Sequence, residues 1–197
     1  MNPRAVARLL VQTAVLAAVA AANGYAAEDI SVDTSRRGSA VEVICRATLR
    51  APRELIWQTL IDYDRLAEFI PGMLKSRVLE NRGLTAIVEQ TGEARFLLFS
   101  FPIEVTVAST QRPPDAIDVR IMKGNLKRLE GDYRIEALED GRIALHWSGL
   151  IEPDAPMPPL IGELLMRATV VDQFQGMVRE IERRDLLRRE REKEPAR

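Results

Sequence analysis

Alternation of apolar and polar side chains is clearest near residue 45. Between residues 41 and 49 the odd positions are small or apolar and the even positions are mostly polar. A period of two is typical of a β-strand with one buried face. The buried face is predicted to consist of Val41, Val43, Cys45, Ala47 and Leu49. A shorter strand at residues 30–35, joined through a turn at 36–38, would complete a first hairpin.

Two short helices are predicted next. Pro52 stands where a helix begins, and apolar residues then recur at three- and four-residue steps. A second short helix is indicated for residues 62–70, with Asp62 or Asp64 as its N-cap. The predicted domain therefore opens with a strand and two short helices.

Six further strand candidates follow, separated by turn residues. Their predicted ranges are residues 74–79, 84–91, 94–107, 117–122, 126–137 and 142–151. In the fourth of them Ile117, Val119 and Ile121 alternate with Asp118 and Arg120. This pattern favours an antiparallel meander with one solvated face and one covered face.

A long amphipathic helix is predicted for residues 160–182, because apolar side chains recur there at helical spacing. These side chains are Ile161, Leu164, Leu165, Ala168, Val171, Phe174, Val178 and Ile181. At 1.5 Å per residue the helix would be roughly 35 Å long, enough to lie across a whole sheet. We place the end of the domain, residues 27–184, here. Residues 185–197 form a charged C-terminal tail that mixes both signs, and they are predicted to be a solvated, fraying helix end, with a docking arm as the alternative.

The first 26 residues have the pattern of a secretory signal peptide. Arg4 and Arg8 precede an alanine-rich apolar run at residues 9–22, and Gly24 and Ala26 fit a cleavage site. The run is short for a bilayer span, and an uncleaved anchor is the alternative. We expect an exported bacterial protein, periplasmic or secreted, with no stable membrane span after cleavage.

Composition narrows the class of protein. The chain has 28 Lys and Arg against 29 Asp and Glu, and this balance is unlike that of a protein that coats nucleic acid. Hydrophobic residues at 46% and charged residues at 29% are typical of a folded soluble domain. Cys45 is the single cysteine, so no internal disulfide or multi-cysteine metal site can form. We expect no cofactor and no metal, and the sequence names no protein partner.

The order of predicted elements is that of the helix-grip fold, in which a bent sheet wraps the last helix. The sequence has a Pro-x-Glu-x-x-Trp element and a Tyr-x-x-x-x-x-Phe-x-Pro element, followed by Ser-Arg-Val-Leu at 76–79. The residues of the first two elements are Pro52, Glu54, Trp57, Tyr63, Phe69 and Pro71. These motifs resemble the opening of START-like proteins of the polyketide cyclase and coenzyme Q-binding group, the SRPBCC superfamily.

The resemblance covers residues 39–184 and implies an α+β helix-grip domain. A bent antiparallel sheet of about seven strands would wrap around a long C-terminal helix, with two short helices after the first long strand. We interpret Trp57, Tyr63, Phe69 and Pro71 as residues of the core and of the corner beside the two small helices.

A bent sheet cannot lie flush against a straight helix, so a pocket forms between them unless large side chains fill it. The predicted lining consists of Val43, Cys45, Phe99, Phe101, Val119, Ile121, Tyr133, Trp147, Leu164, Ala168 and Val171. These side chains carry no charge, so the expected ligand is a lipid, isoprenoid, quinone or polyketide-like compound. The alternative is that the same residues simply fill the interior.

Catalytic motifs are missing from the sequence. It contains no Gly-x-Ser-x-Gly, P-loop, Gly-x-Gly-x-x-Gly or His-Glu-x-x-His pattern. His146, the only histidine, is predicted to face outward, and a buried Cys45 thiol would be inert. Glu89 and Glu93 are more typical of an exposed ladder of cross-strand charges. We therefore predict a binding or carrier protein with no catalytic residue.

Two other functions stay open at this point. A polyketide cyclase or dehydratase is implied by the superfamily resemblance, with Tyr133 or His146 as the residues to test. A protein-interaction module similar to the ribosome-associated toxin branch of the superfamily would act in the cytoplasm, which a cleaved leader contradicts.

Overall fold

The part of the chain that the computed structural model describes, residues 30–96, 99–154 and 159–193, contains eight strands and three α-helices. In chain order they are β1 (Ser31–Arg37), β2 (Ala40–Leu49), α1 (Arg53–Leu60), a 3-10 turn (Tyr63–Arg65), α2 (Leu66–Phe69), β3 (Met73–Arg82), β4 (Thr85–Phe96), β5 (Phe99–Arg112), β6 (Ala116–Gly124), β7 (Leu126–Ala137), β8 (Ile143–Pro153) and α3 (Pro159–Lys193). The predicted signal peptide, residues 1–26, lies outside the described residues.

The strands form one antiparallel sheet in the order β1-β2-β8-β7-β6-β5-β4-β3. Strand β2 lies between β1 and β8, near one edge of the sheet, and β3 forms the opposite edge. The chain segment that connects β2 to β3 contains the two short helices. The predicted α+β helix-grip fold is confirmed. The sheet has eight strands rather than about seven because the β1 hairpin strand joins it.

The predicted buried face of β2 is confirmed. None of its five members, Val41, Val43, Cys45, Ala47 and Leu49, is more than 6% exposed. Their neighbours on β8 face the same way, and Cys45 is paired with Trp147. This face belongs to a core cluster that also includes α1 and α3.

Helix α3 is longer than predicted, with 35 residues, and it continues beyond residue 182 to Lys193. The predicted charged tail at 185–197 therefore begins inside the helix. Asp185 is only 7% exposed there, and Arg188 and Arg189 bind its carboxylate at 2.9 and 2.7 Å. The predicted helix end is thus helical to Lys193, and ion pairs between residues three and four positions apart stabilise it. Among the described helices, none combines the length and the apolarity needed to cross a bilayer.

The boundary between β4 and β5 lies later than predicted. Strand β4 continues through Gly92 to Phe96, which is paired with Phe99 at the start of β5. The sequence around Gly92 predicts a turn, but in the structure Gly92 is a strand residue at which the backbones of β3 and β4 come close together. A Cβ at Gly92 would lie 2.5 Å from the carbonyl oxygen of Gly72. The absence of a side chain there lets β3 and β4 meet where β3 begins.

Helix α3 also approaches the corner between α2 and β3 closely. Gly176 faces this corner, and a Cβ on it would lie 2.7 Å from the carbonyl oxygen of Phe69 and would overlap the ring of Pro71. Farther along α3, Arg184 binds Asp62 at 2.7 Å, and its guanidinium lies 5.4 Å from the centre of the Phe69 ring. The region of the short helices therefore contacts α3 at two places, Gly176 and Arg184.

Candidate ligand-binding cavity

A cavity lies between the inward face of the sheet and α3. One part of it, which we call the inner chamber, has a volume of about 180 Å³ and is also walled by the region of α1, the 3-10 turn and α2. Helix α3 contributes Val170, Phe174 and Met177 to it. From the sheet come Tyr133 and Trp147, whose ring centres are 6.4 Å apart. The predicted hollow under the closing helix is therefore present.

Two glycines occupy facing positions on the strands that carry Tyr133 and Trp147. Gly131 on β7 and Gly149 on β8 are register partners. A Cβ on Gly149 would lie 2.7 Å from the Glu130 carbonyl oxygen and 3.0 Å from the Trp147 ring. The missing side chain therefore lets the Trp147 ring, which lines the inner chamber, lie against the strand backbone.

An outer chamber of about 120 Å³ adjoins the inner one toward β3 and β4. The two chambers share the side chains of Gln90 on the sheet and Gln173 on α3, which stand at their junction. The outer chamber in turn shares Gly72 and Thr169 with an exposed pocket that we call the portal. The two chambers and the portal are therefore neighbours along the space between the sheet and α3.

The portal is polar and its rim is held by the backbone. The amide of Glu93 donates a hydrogen bond to the carbonyl oxygen of Gly72 at 2.8 Å. The Glu93 carboxylate is paired with Arg95 at 2.5 Å, and Asp172 lies on the helix side. Leu74, which is 66% exposed, lies on the same rim.

Among the described residues that line the inner chamber, none carries a charged side chain. Its polar groups are the phenols of Tyr63 and Tyr133, the Trp147 indole N–H, the Ser109 hydroxyl, and the amides of Gln90 and Gln173. The rest of its wall is aliphatic or aromatic. A charged group placed there would lose its hydration without gaining an ionic partner, at a cost of several kcal/mol or more.

Burial sets the protonation of the groups that could react. It raises the pKa of the Cys45 thiol to about 12, with a further contribution from Asp33. Burial also raises the pKa of Tyr133, helped by Cys45 and Tyr63. The Tyr63 pKa is raised for the same first reason, with Ser109 and Gln111 opposing it. At neutral pH both phenols and the thiol are therefore protonated and uncharged.

The Tyr63 hydroxyl is closed to solvent, and the residue as a whole is 8% exposed. The side chains of Ser109 and Gln111 are its polar neighbours and lower its pKa by hydrogen bonding. The Thr169 hydroxyl, which borders the outer chamber, is also buried and has no hydrogen-bond partner among the described residues. An unpaired buried hydroxyl is unusual, because it forfeits its hydration without replacement.

Three of the predicted lining residues meet at the inner chamber: Val119, Tyr133 and Trp147. Val43 and Cys45 are fully buried in the core beneath it, and Phe101 and Ile121 are partly buried against that core. Leu164, Ala168 and Val171 of α3 do not line either chamber. Ala168 and Val171 are half-buried, and Leu164 is 47% exposed. The side chain of Phe99 lies outside the described residues. Ligand contact by any of them stays a prediction.

The helix residues that do line the chambers lie on a neighbouring face of α3. Leu164 is followed by buried Leu165 and Met166, and Val171 is preceded by buried Val170. The sequence offers apolar side chains on both faces, and only packing selects between them. Gln90 and Gln173 carry no sequence signal of their own. Tyr63, assigned from sequence to the core and corner, proves also to line the inner chamber.

The acidic residues considered from sequence have structural partners. Asp62 makes no capping hydrogen bond, contrary to the prediction, and binds Arg184 instead. Asp64 accepts a hydrogen bond of 2.8 Å from the Val78 amide, which ties the 3-10 turn to β3. Glu89 is paired with Lys75 across β3 and β4 at 2.6 Å. This last pair has the predicted cross-strand character.

His146 is not part of the cavity lining. It lies on β8 between Leu145 and Trp147, on the opposite face of the strand, and its Nε2 is 3.9 Å from a Glu136 carboxylate oxygen. Within residues 30–96, 99–154 and 159–193, no group of three or more histidine, cysteine or acidic side chains is placed to hold a metal ion.

The sequence was compared with families of known proteins. Residues 49–178 match the family described as polyketide cyclase / dehydrase and lipid transport. The chain belongs to this family. The match spans α1 through most of α3 and so includes the residues of both chambers. Among curated proteins, none shows significant sequence similarity to the chain.

Solved structures of similar fold agree with membership of the polyketide cyclase and lipid transport family. The aromatase/cyclase Zhui from Streptomyces sp. R1128 is 19% identical, with a TM-score of 0.63 over 74% of this chain and 95% of that one. A STAR-related lipid transfer protein from Xanthomonas axonopodis is 13% identical, with a TM-score of 0.62 over 80% and 96%. A START superfamily protein from Mycobacterium smegmatis is 15% identical, with a TM-score of 0.61 over 72% and 97%. At these identities the likeness concerns the fold.

Proposed function

We propose that the protein is an exported binding or carrier protein for a hydrophobic small molecule, held between the sheet and α3. The observation that carries the proposal is the inner chamber, a space between the sheet and α3 whose described lining is uncharged and largely apolar. Family membership supports a ligand of hydrophobic class. Lipid, isoprenoid, quinone and polyketide-like compounds all satisfy this description.

The size of the cavity constrains how such a ligand would lie. Pockets for drug-sized molecules generally measure about 300–1,000 Å³. Either chamber alone is smaller than this. A ligand of that size would therefore extend past Gln90 and Gln173 into both chambers. Each methylene that it buries contributes up to about 0.8 kcal/mol before the costs of association.

Binding is tested by extraction and by cavity filling. Protein purified from its native compartment is extracted with organic solvent and the extract is analysed by mass spectrometry, with the expectation of a bound apolar compound. In parallel, uptake of the neutral fluorescent probe N-phenyl-1-naphthylamine is titrated. Repeated absence of any extracted compound, together with no probe uptake, would contradict the proposal.

A matched pair of variants on β6 locates the bound probe. Val119→Phe enlarges a side chain on the inner chamber wall, whereas Met122→Phe enlarges one that is 53% exposed. We expect the first variant to weaken probe binding about 10-fold or more and the second to leave it unchanged. Equal effects would place the probe elsewhere on the protein.

Export is a separate part of the proposal and rests on the pattern of residues 1–26. Cell fractionation with intact-mass measurement tests it. A periplasmic or secreted product that begins at Ala27 is expected. Full-length protein in the cytosol would contradict export and would favour the interaction-module alternative.

A cyclase or dehydratase is the second candidate, favoured by two phenols, Tyr63 and Tyr133, on the inner chamber wall. As protonated phenols they could donate hydrogen bonds to a carbonyl of a bound polyketide. Turnover of a polyketide-like substrate that Tyr133→Phe abolishes, with the fold retained, would establish this candidate. His146→Ala serves as the matched control, because that side chain is on the other face of the sheet.

A further inference from the structure

Met73, the first residue of β3, lies where three spaces adjoin. Among the described residues it is the one that lines the inner chamber, the outer chamber and the portal alike. The next residue, Leu74, lines the portal alone and is exposed. Met73 is instead half-buried and packs against the core. Its side chain therefore lies on the inward side of β3, between the portal and the chambers.

The main chain around Met73 is held on both sides by hydrogen bonds. The Met73 amide donates to the carbonyl oxygen of Ile70 at 3.2 Å, and the Gly72 carbonyl oxygen accepts from the Glu93 amide at 2.8 Å. The space beside Gly72 is also filled, because a Cβ there would lie 2.7 Å from the Glu93 carbonyl oxygen. A ligand that enters at this point would therefore meet a fixed main chain, and the Met73 side chain is the part that can move aside.

The surroundings of Met73 leave its side chain free to rotate. Methionine is unbranched and has three rotatable bonds, so it adapts its shape readily. The register partner of Met73 on β4 is Gly92, and the residue before it is Gly72, so neither neighbouring position carries a side chain. A β-branched residue at 73 would lack this freedom, because branching restricts χ1.

We propose, on the basis of the proposed binding function, that the Met73 side chain is the gate of the cavity. In one rotamer it separates the portal from the two chambers, and in another it joins them, so that a ligand enters and leaves past the thioether. Neither chamber alone has the volume of about 300–1,000 Å³ that is usual for a ligand site. Rotation of Met73 joins the adjoining spaces into a larger one.

A gate has a kinetic signature that a wall residue lacks. It sets the height of the barrier between the free and the bound state, so a change in the gate alters the association and dissociation rate constants by the same factor. The dissociation constant then stays nearly constant. A residue that only contacts the bound ligand changes affinity mainly through the dissociation rate constant.

Stopped-flow fluorescence with N-phenyl-1-naphthylamine on the full chain measures both rate constants. Met73→Ile keeps an apolar side chain of similar volume but stiffens it. We expect it to lower both rate constants about 3- to 10-fold and to change the dissociation constant less than about 2-fold. Met73→Ala shortens the side chain and should raise both rate constants, with dissociation rising more because a wall contact is also lost.

Met166→Ile is the matched control, because Met166 lines the outer chamber but neither the inner chamber nor the portal. Its association rate constant should stay within about 2-fold of the wild-type value, and any loss of affinity should appear in dissociation. Thermal unfolding checks that each variant keeps its fold, as expected for exchanges between apolar side chains of similar volume.

The possible failures are distinguishable. If both Met73 variants change affinity through dissociation alone, Met73 is a wall residue, and the gate is overturned while the binding function stands. If Met166→Ile slows association as much as Met73→Ile does, the effect is not specific to Met73 and the gate is equally overturned. If the wild-type protein neither takes up the fluorophore nor yields a compound on extraction, the proposed function itself fails, and the gate with it.

Discussion

Arg184, near the far end of α3, donates a hydrogen bond of 2.7 Å to the carboxylate of Asp62, which lies 122 residues earlier in the chain. The Arg184 side chain is 16% exposed and that of Asp62 26% exposed. The same guanidinium binds Glu180 on its own helix at 2.7 Å. This arrangement fixes the 3-10 turn, and with it Tyr63, against the helix that closes the cavity.

Replacement of Arg184 by methionine should lower the free energy of unfolding by about 1–3 kcal/mol, because two sheltered carboxylates would lose a hydrogen-bonded cation. Urea unfolding measures the change. The matched control is Arg82→Met, whose pair with Glu80 is more than half exposed on the edge strand β3. That control should change stability by less than about 1 kcal/mol. Equal losses in the two variants would contradict the role assigned to Arg184.

Glu180 predicts a pH dependence of stability. Hydrogen bonds from Arg183, and with them those from Arg184, hold the pKa of the Glu180 carboxyl below its ordinary value of 4.5, although burial opposes this. The unfolded chain therefore takes up the proton at a higher pH than the folded chain does. Its contribution to stability is present above about pH 4.5 and is lost as the pH falls through the folded-state pKa.

Glu180→Gln isolates this contribution from that of the exposed carboxyls. Denaturant unfolding of the variant and the wild type at a series of pH values from 7 to 3 should show a shallower decline for the variant. Parallel curves over the acid range would show that Glu180 titrates with the same pKa in both states.

Gly176→Ala should reverse the usual effect of this change in a helix. Alanine generally stabilises a helix interior by about 1 kcal/mol relative to glycine. Here the new Cβ would meet Phe69 and Pro71. Overpacking of this kind costs typically about 1–3 kcal/mol, so we expect a lower melting temperature. Pro71→Ala in combination should recover part of the loss, and purely additive effects in the double variant would contradict the contact.

The Cys45 thiol should be unreactive in the folded protein. It is fully buried, and burial raises its pKa to about 12, so that almost no thiolate forms near neutral pH. Titration with Ellman's reagent at pH 8 should label one thiol per chain in concentrated urea and almost none without it. Fast labelling of the native protein would show that the cavity floor opens to solvent.

Sequence patterns predicted the strands best where one face is covered. Val43, Cys45 and Leu145 lie on strands whose alternation is regular, and all three are fully buried. The period of two reports directly which face is covered, because a shift by one residue would turn every apolar side chain outward. Strands identified in this way, together with the helical periodicity of α3, gave an order of elements that predicted the helix-grip fold.

Positions that depend on tertiary contacts could not be predicted in this way. Gly92 resembles a turn residue, but it is a strand residue that lets two backbones meet. Leu164 and Leu165 are adjacent and equally apolar, yet the first is 47% exposed and the second 1%. Hydrophobicity cannot choose between two apolar helix faces about 100° apart. The choice depends on where the sheet lies.

The polar residues of the cavity were the least predictable. Gln90 and Gln173 are 83 positions apart in sequence, and each has the character of an ordinary surface residue when considered alone. Only the closure of α3 over β4 brings them to one junction. Tyr63 was visible in the sequence, but its motif indicated packing, and its place on the wall of the inner chamber became apparent only in three dimensions.

Gly149 has a consequence for the shape of the binding site. A Cβ at this position would meet the Glu130 carbonyl oxygen and the Trp147 ring, and the same ring lines the inner chamber. Any larger residue at 149 would therefore have to displace the indole or the β7 backbone. The outline of the chamber can thus be altered from a position that does not itself touch a bound molecule.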